Sequence, residues 1–236
     1  MKTRSIILVA AAVFYLSTNI VTTEALAMNE ALDAKQKAMV AMSALSGAGD
    51  LSNLKTSLSR ALDAGLTVQE IKEVLVQVYA YAGFPRSLNA LTTFQAVLEE
   101  RKATGIQDPE GPLPGPMPTE RTSLDFGTEN QTRLIGQPVG GGVYDFAPAI
   151  DQFLKAHLFG DIFQRDTLDW KHRELATIAM LAAIPGVEPQ LRGHLGIGMR
   201  NGLTTAQLRA AAAVVGESLG RPHGDAMNRL IDTMDK

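Results

Sequence analysis

The sequence predicts an all-α protein made of two tandem copies of one helical unit. Three observations predict it. Every periodic apolar stretch has helical spacing, and no alternating strand pattern stands out. Aromatic residues are only 6% of the chain, while alanine, leucine and methionine abound, which favours helices over sheets. The same helix caps and breaks also recur in the same order in both halves, as an internal duplication requires.

The N-terminus comes first. Lys2 and Arg4 form a positive head, and Ile6 to Leu16 is apolar but too short for a comfortable membrane span. Ala25-Leu26-Ala27 offers a small-x-small cleavage site. Residues 1–27 are therefore expected to be a secretory signal peptide, with a mature chain from about Met28 that is secreted or periplasmic and keeps no membrane anchor. Residues 28–104 are the first unit, 105–147 a Pro/Gly-rich linker, and 148–236 the second unit.

In the first unit, Gly65 ends one helix and Thr67 with Glu70 opens the next as a capping box. Ile71, Val74, Leu75 and Val78 mark its apolar face. Gly83-Phe84-Pro85 stops it, because proline has no N–H to continue the ladder. Leu88, Leu91, Phe94 and Leu98 follow as a further apolar series. In the second unit, "NGLTTAQL" (201–208) repeats "AGLTVQEI" (64–71), and Gly220 and Pro222 repeat Gly83 and Pro85. Upstream, "LDWKHRELATI" (168–178) aligns with "LDAKQKAMVAM" (32–42) after a one-residue shift in the loop between. The stretch 105–122 is too rich in proline and glycine for a helix interior, and residues 148–183 read as two further helices.

Several function classes drop out early. A net charge of −3 gives no basic surface for nucleic acid. The chain has no cysteine, so thiol redox chemistry on its own side chains is excluded. Four histidines (His157, His172, His194 and His223) form no H-x-x-x-H or H-E-x-x-H pattern, so neither metal nor cofactor is expected.

"RALDAGLTVQEIKEVLVQVYAYAGFPRSLNA" in the first copy resembles the carboxymuconolactone decarboxylase-like family, which includes the alkylhydroperoxidase-D-type proteins. So do "HLFGDIFQRDTLDWKHRELATIAMLAA" and "LRGHLGIGMRNGLTTAQL" in the second. The resemblance implies an all-helical fold that assembles as symmetric homo-oligomers. It also implies a site. The peroxidase branch carries a glutamate, a C-x-x-C pair and a histidine four residues after the second cysteine. Here Glu174 and His194 match the glutamate and the histidine, while Val187 and Gln190 stand where the cysteines would be. The first copy has Ala38 and Ser57 at the matching positions, so only the second copy can hold the pair.

Glu174 and His194 are therefore the candidate catalytic residues, His194 as proton shuttle and Glu174 as its orienting partner or as the base. Each also has a plain structural use: a carboxylate early in a helix suits the dipole, and an inward histidine suits a hydrogen-bonded core. Arg173, Arg192 and Trp170 are the candidate substrate-binding residues, the arginines because a guanidinium grips a carboxylate bidentately. One of Tyr79 and Tyr81 is expected to reach the pocket. The implied activity is cysteine-independent proton transfer or decarboxylation on a small carboxylic acid or lactone, a carboxy-lyase reaction. A non-catalytic binding or scaffold member is the alternative. Alkylhydroperoxidase-type activity is disfavoured for want of cysteine.

Overall fold

A computed structural model describes residues 31–234, and the expected signal peptide lies outside them. Those residues are helical, with no strand among them. The first unit is α1 (Ala34–Ala48), α2 (Leu51–Asp63), α3 (Val68–Ala82) and α4 (Phe84–Ala103). Then come α5 (Ser123–Ile135), the single turn α6 (Val143–Phe146) and α7 (Pro148–Phe153), which runs on as a π-helical segment, Leu154–Ile162. The second unit is α8 (Trp170–Ala182), α9 (Glu188–Arg200), α10 (Thr205–Leu219) and α11 (Arg221–Asp232).

The duplication is visible element by element. Asp33 and Asp169 cap α1 and α8 by accepting backbone N–H bonds. Thr67 and Thr204 close full capping boxes on α3 and α10. Each such cap contributes about 1 kcal/mol. Gly83 and Gly220 break the chain at matching points, both at positive φ (84° and 101°), where a Cβ would be strained. Proline in the first turn of α4 and of α11 then starts the next helix.

The two repeats pack through α1 and α8, so their cores meet. One core gathers Met42, Leu58, Ile71, Leu75 and Phe94 around α3. Another gathers Val40, Ile178, Leu195, Leu208 and Met227 around α8 and α10. A third, smaller core is Leu134, Leu158, Phe159, Ile162 and Phe163. Tyr81 packs against all three.

Two expectations need correction. Residues 105–147 are more than a linker. Their first part is strapped to the first unit: Val68 and Gln69 donate backbone N–H bonds to Pro109 and Glu110. Arg101 forks onto Asp108 as well (2.7 and 2.9 Å). Their second part is the helix α5, opened by a Thr122–Asp125 capping box. α5 pairs with the π segment so closely that a side chain at Gly127 or Gly160 would collide with Lys155 or Ser123 backbone. Leu88 of the predicted apolar series is 59% exposed, and the buried line of α4 runs instead through Ser87, Ala90, Phe94 and Val97.

Candidate functional site

α8 carries Glu174 one turn from its start, and α9 returns antiparallel to bring His194 opposite. The Nδ1 of His194 lies 2.8 Å from Glu174 Oε2. Glu174 is fully buried, while the His194 side chain keeps 13% of its surface. A carboxylate has no proton to give, so Nδ1 donates and Nε2 is left with the lone pair. No hydrogen bond forms to Nε2 among the described residues. An imidazole held on one nitrogen by a buried carboxylate, with the other nitrogen unbonded, is arranged to carry protons.

Tyr81 joins them from the first repeat. Its ring stands edge-on to His194, with centroids 5.5 Å apart. Burial first, and the Glu174 carboxylate second, push its ionisation well above the ordinary 10. The phenol therefore keeps its proton and remains a donor. Its hydroxyl, Glu174 Oε1 and Arg173 Nε are all buried and have no hydrogen-bond partner among the described residues. Buried polar atoms are paired in the great majority of cases. Glu174 Oε1 and Tyr81 lie beside the imidazole, and a polar molecule bound there would satisfy their free groups.

Behind the pair lies a polar layer that joins the repeats. The Glu73 carboxylate accepts from Arg165 (2.7 Å) and from Arg173 (3.1 Å). Arg173 also donates to Gln77 Oε1 (3.1 Å) and to the Arg165 carbonyl (3.0 Å). Gln77 in turn donates to Thr177 Oγ1 (2.8 Å), one turn beyond Glu174. Burial works to raise the Glu73 pKa. The hydrogen bonds and charges of Arg165 and Arg173 outweigh it and hold the carboxyl below its ordinary 4.5.

The expected substrate arginines are placed otherwise. Arg173 is completely buried, and both its terminal nitrogens are engaged by Glu73, Gln77 and the Arg165 carbonyl. It holds the frame and does not project a free fork. Arg192 is exposed two residues before His194 and borders a different hollow, with Leu191 and His223. Trp170 stands in the wall of the third core. Its Nε1 donates to the Phe163 carbonyl (2.9 Å), and Arg133 lies over its ring at 5.0 Å. Tyr79 stacks on Phe84, leaving Tyr81 as the tyrosine beside the site. No group of side chains suited to a metal ion occurs among the described residues.

The duplication creates a second, equivalent place between the repeats, and it lacks these groups. At the positions matching Glu174, His194, Thr177, Gln77 and Tyr81 stand Ala38, Ser57, Ala41, Val214 and Ser218. All five line one hollow of about 590 Å³. Both repeats match a single family model, carboxymuconolactone decarboxylase, over residues 14–96 and 148–226, more than half the chain.

The chain belongs to the carboxymuconolactone decarboxylase family.

It is also similar to an uncharacterized protein, MJ1511, of Methanocaldococcus jannaschii, with 32% identity over 68 residues. That stretch is 29% of this chain and 61% of the relative, so the chain spans under two thirds of the relative's length. Within the family frame, this chain is a tandem member with two repeats and one polar site.

Proposed function

We propose that this family member transfers protons on a small carboxylic acid or lactone, without thiol chemistry, at His194 and Glu174. The observation that carries this is the 2.8 Å bond from His194 Nδ1 to the buried Glu174 carboxylate. Glu174 takes the orienting role, and Nε2 of His194 takes or returns the proton. In a decarboxylation the carbon–carbon bond breaks, CO2 leaves, and the electron pair stays on the substrate carbon. Nε2 first takes a proton from solvent and then delivers it to that carbon, which returns His194 to its neutral Nδ1–H form. Tyr81, rather than Arg173 or Arg192, donates its hydroxyl to a substrate oxygen. Such positioned proton transfer is worth about a hundred- to ten-thousand-fold.

A panel of small carboxylic acids and lactones tests this by CO2 release and by solvent deuterium entering the substrate. Turnover that disappears in His194→Ala supports the assignment. Turnover that persists within about threefold would refute it, since loss of a general acid–base forfeits more.

A second reading, a binding or scaffold member, draws on the equivalent hollow, where the frame persists without the polar groups. It predicts that the same panel binds without turnover.

Export is proposed from the N-terminal 27 residues, and mass spectrometry of the mature chain tests it by looking for a start near Met28. A homo-oligomer is proposed from the exposed apolar series Val143, Phe146, Ile150 and Phe153, of which Phe146 is 89% exposed. Light scattering checks it, and a single-chain mass would contradict it.

A further inference from the structure

Arg192 belongs to a hollow of about 400 Å³ between the end of α8, the start of α9 and α11. Its floor is apolar, with Leu181, Ile184, Leu191 and Leu230. Two arginines from different helices, Arg192 and Arg229, stand at it, and neither side chain forms an ion pair or hydrogen bond among the described residues. His223 forms one wall. Its ring is fixed because Nδ1 donates to the Ala182 carbonyl at 3.0 Å. Glu188 is the one acidic group at the hollow, and it too is unpaired.

Comparison with the first repeat separates this from ordinary surface charge. The residue matching His223 is Arg86, whose guanidinium donates to the Gly47 carbonyl at the end of α1. The match of Arg192 is Lys55, paired with Glu100 at 2.6 Å. The match of Arg229 is Thr92, whose hydroxyl donates to the Leu88 carbonyl at 3.0 Å. In the first repeat each of these groups satisfies its own scaffold. In the second, a shorter imidazole replaces the bridging arginine, and two guanidinium groups are left facing an apolar floor.

We propose that this hollow binds an amphipathic monocarboxylate, with its carboxylate on Arg192 and Arg229 and its chain or ring on Leu181, Ile184, Leu191 and Leu230. Guanidinium groups match carboxylate geometry bidentately, and the volume falls within the range of small-molecule pockets. Two arginines against one glutamate leave a net single positive charge, which suits a single carboxylate. The site is separate from the Glu174–His194 pair, so the inference stands whether or not that pair is catalytic.

Isothermal titration of the mature chain with octanoate tests it, with acetate and inorganic phosphate as anions that lack the apolar body. Octanoate should saturate one site per chain, and acetate and phosphate should bind at least roughly tenfold more weakly. The double variant Arg192→Gln/Arg229→Gln should lose roughly tenfold or more in octanoate affinity. Both side chains are exposed, and its circular dichroism should match wild type. His194→Gln should bind octanoate as wild type does. The proposal fails if octanoate does not saturate, if the double variant binds it equally well, if phosphate binds as tightly as octanoate, or if His194→Gln abolishes binding.

Discussion

The two repeats share caps and breaks, yet of the two equivalent places where they meet, one holds a buried polar layer and the other a hollow. The frame survives either way. Asp33 and Asp169, Thr67 and Thr204, and Gly83 and Gly220 do the same local work in each repeat. Fold and site are thus separable in this molecule: fold is carried by capping and apolar periodicity, and the site by a handful of side chains that change together. Glu73, Gln77 and Tyr81 come from α3 of the first repeat, while Arg173, Glu174, Thr177 and His194 come from the second. The polar site is built across the duplication, and a single repeat does not contain it.

The largest asymmetry should be catalytic. His194→Ala should lower turnover about a hundred- to ten-thousand-fold, whereas Ser57→Ala, its counterpart, should stay within about twofold. Equal losses in both would show that the hollow also supports the reaction.

Stability should show the next difference. Glu73→Ala strands the buried Arg173 guanidinium and should cost about 3–5 kcal/mol in urea unfolding. Lys55→Ala, which breaks an exposed pair with Glu100, should cost under about 1 kcal/mol. The sign of the pH dependence follows from the lowered Glu73 pKa. Its contribution is fully present above the ordinary 4.5 and is lost as pH falls through the lower folded value. Glu73→Gln should therefore flatten the acid limb of the stability curve, measured from pH 6 down to about 3. An unchanged limb would remove Glu73 from the account.

Packing gives a smaller contrast. Thr177→Leu should overpack the buried polar layer by about 1–3 kcal/mol, while Ala41→Leu, entering the equivalent hollow, should cost under about 1 kcal/mol. The smallest expected difference is at the caps. Thr67→Ala and Thr204→Ala should each cost about 1 kcal/mol and agree with each other. Disagreement would mean that the repeats differ in frame as well as in site.

Much of this fold was legible because its signals are local. T-x-x-E, T-x-x-Q and G-x-P punctuation depends on neighbouring residues, and helical spacing is read one turn at a time. α5 is hard to see in the sequence because the surrounding prolines and glycines mask its Thr122–Asp125 cap. The continuation of α7 as a π segment had no local mark. At the candidate site, the family pattern marks Glu174 and His194, and the structure brings the two together. The role of Arg173 was hidden because its partner Glu73 is one hundred residues away and only tertiary packing pairs them. Tyr81 was narrowed to one of two tyrosines, and choosing between them required α3 to meet α9. Arg192, two residues from His194 on α9, turns to a different side of the helix and borders another hollow.

The central claim is that Glu174 fixes the His194 ring by Nδ1 and leaves Nε2 to carry protons. Two-dimensional 15N–1H spectra of the histidine side chains, assigned with His194→Gln, read this directly and need no substrate. The account predicts that neutral His194 is the Nδ1–H tautomer in wild type and loses that preference in Glu174→Ala. An Nε2–H tautomer in wild type, or one unchanged in Glu174→Ala, would contradict it.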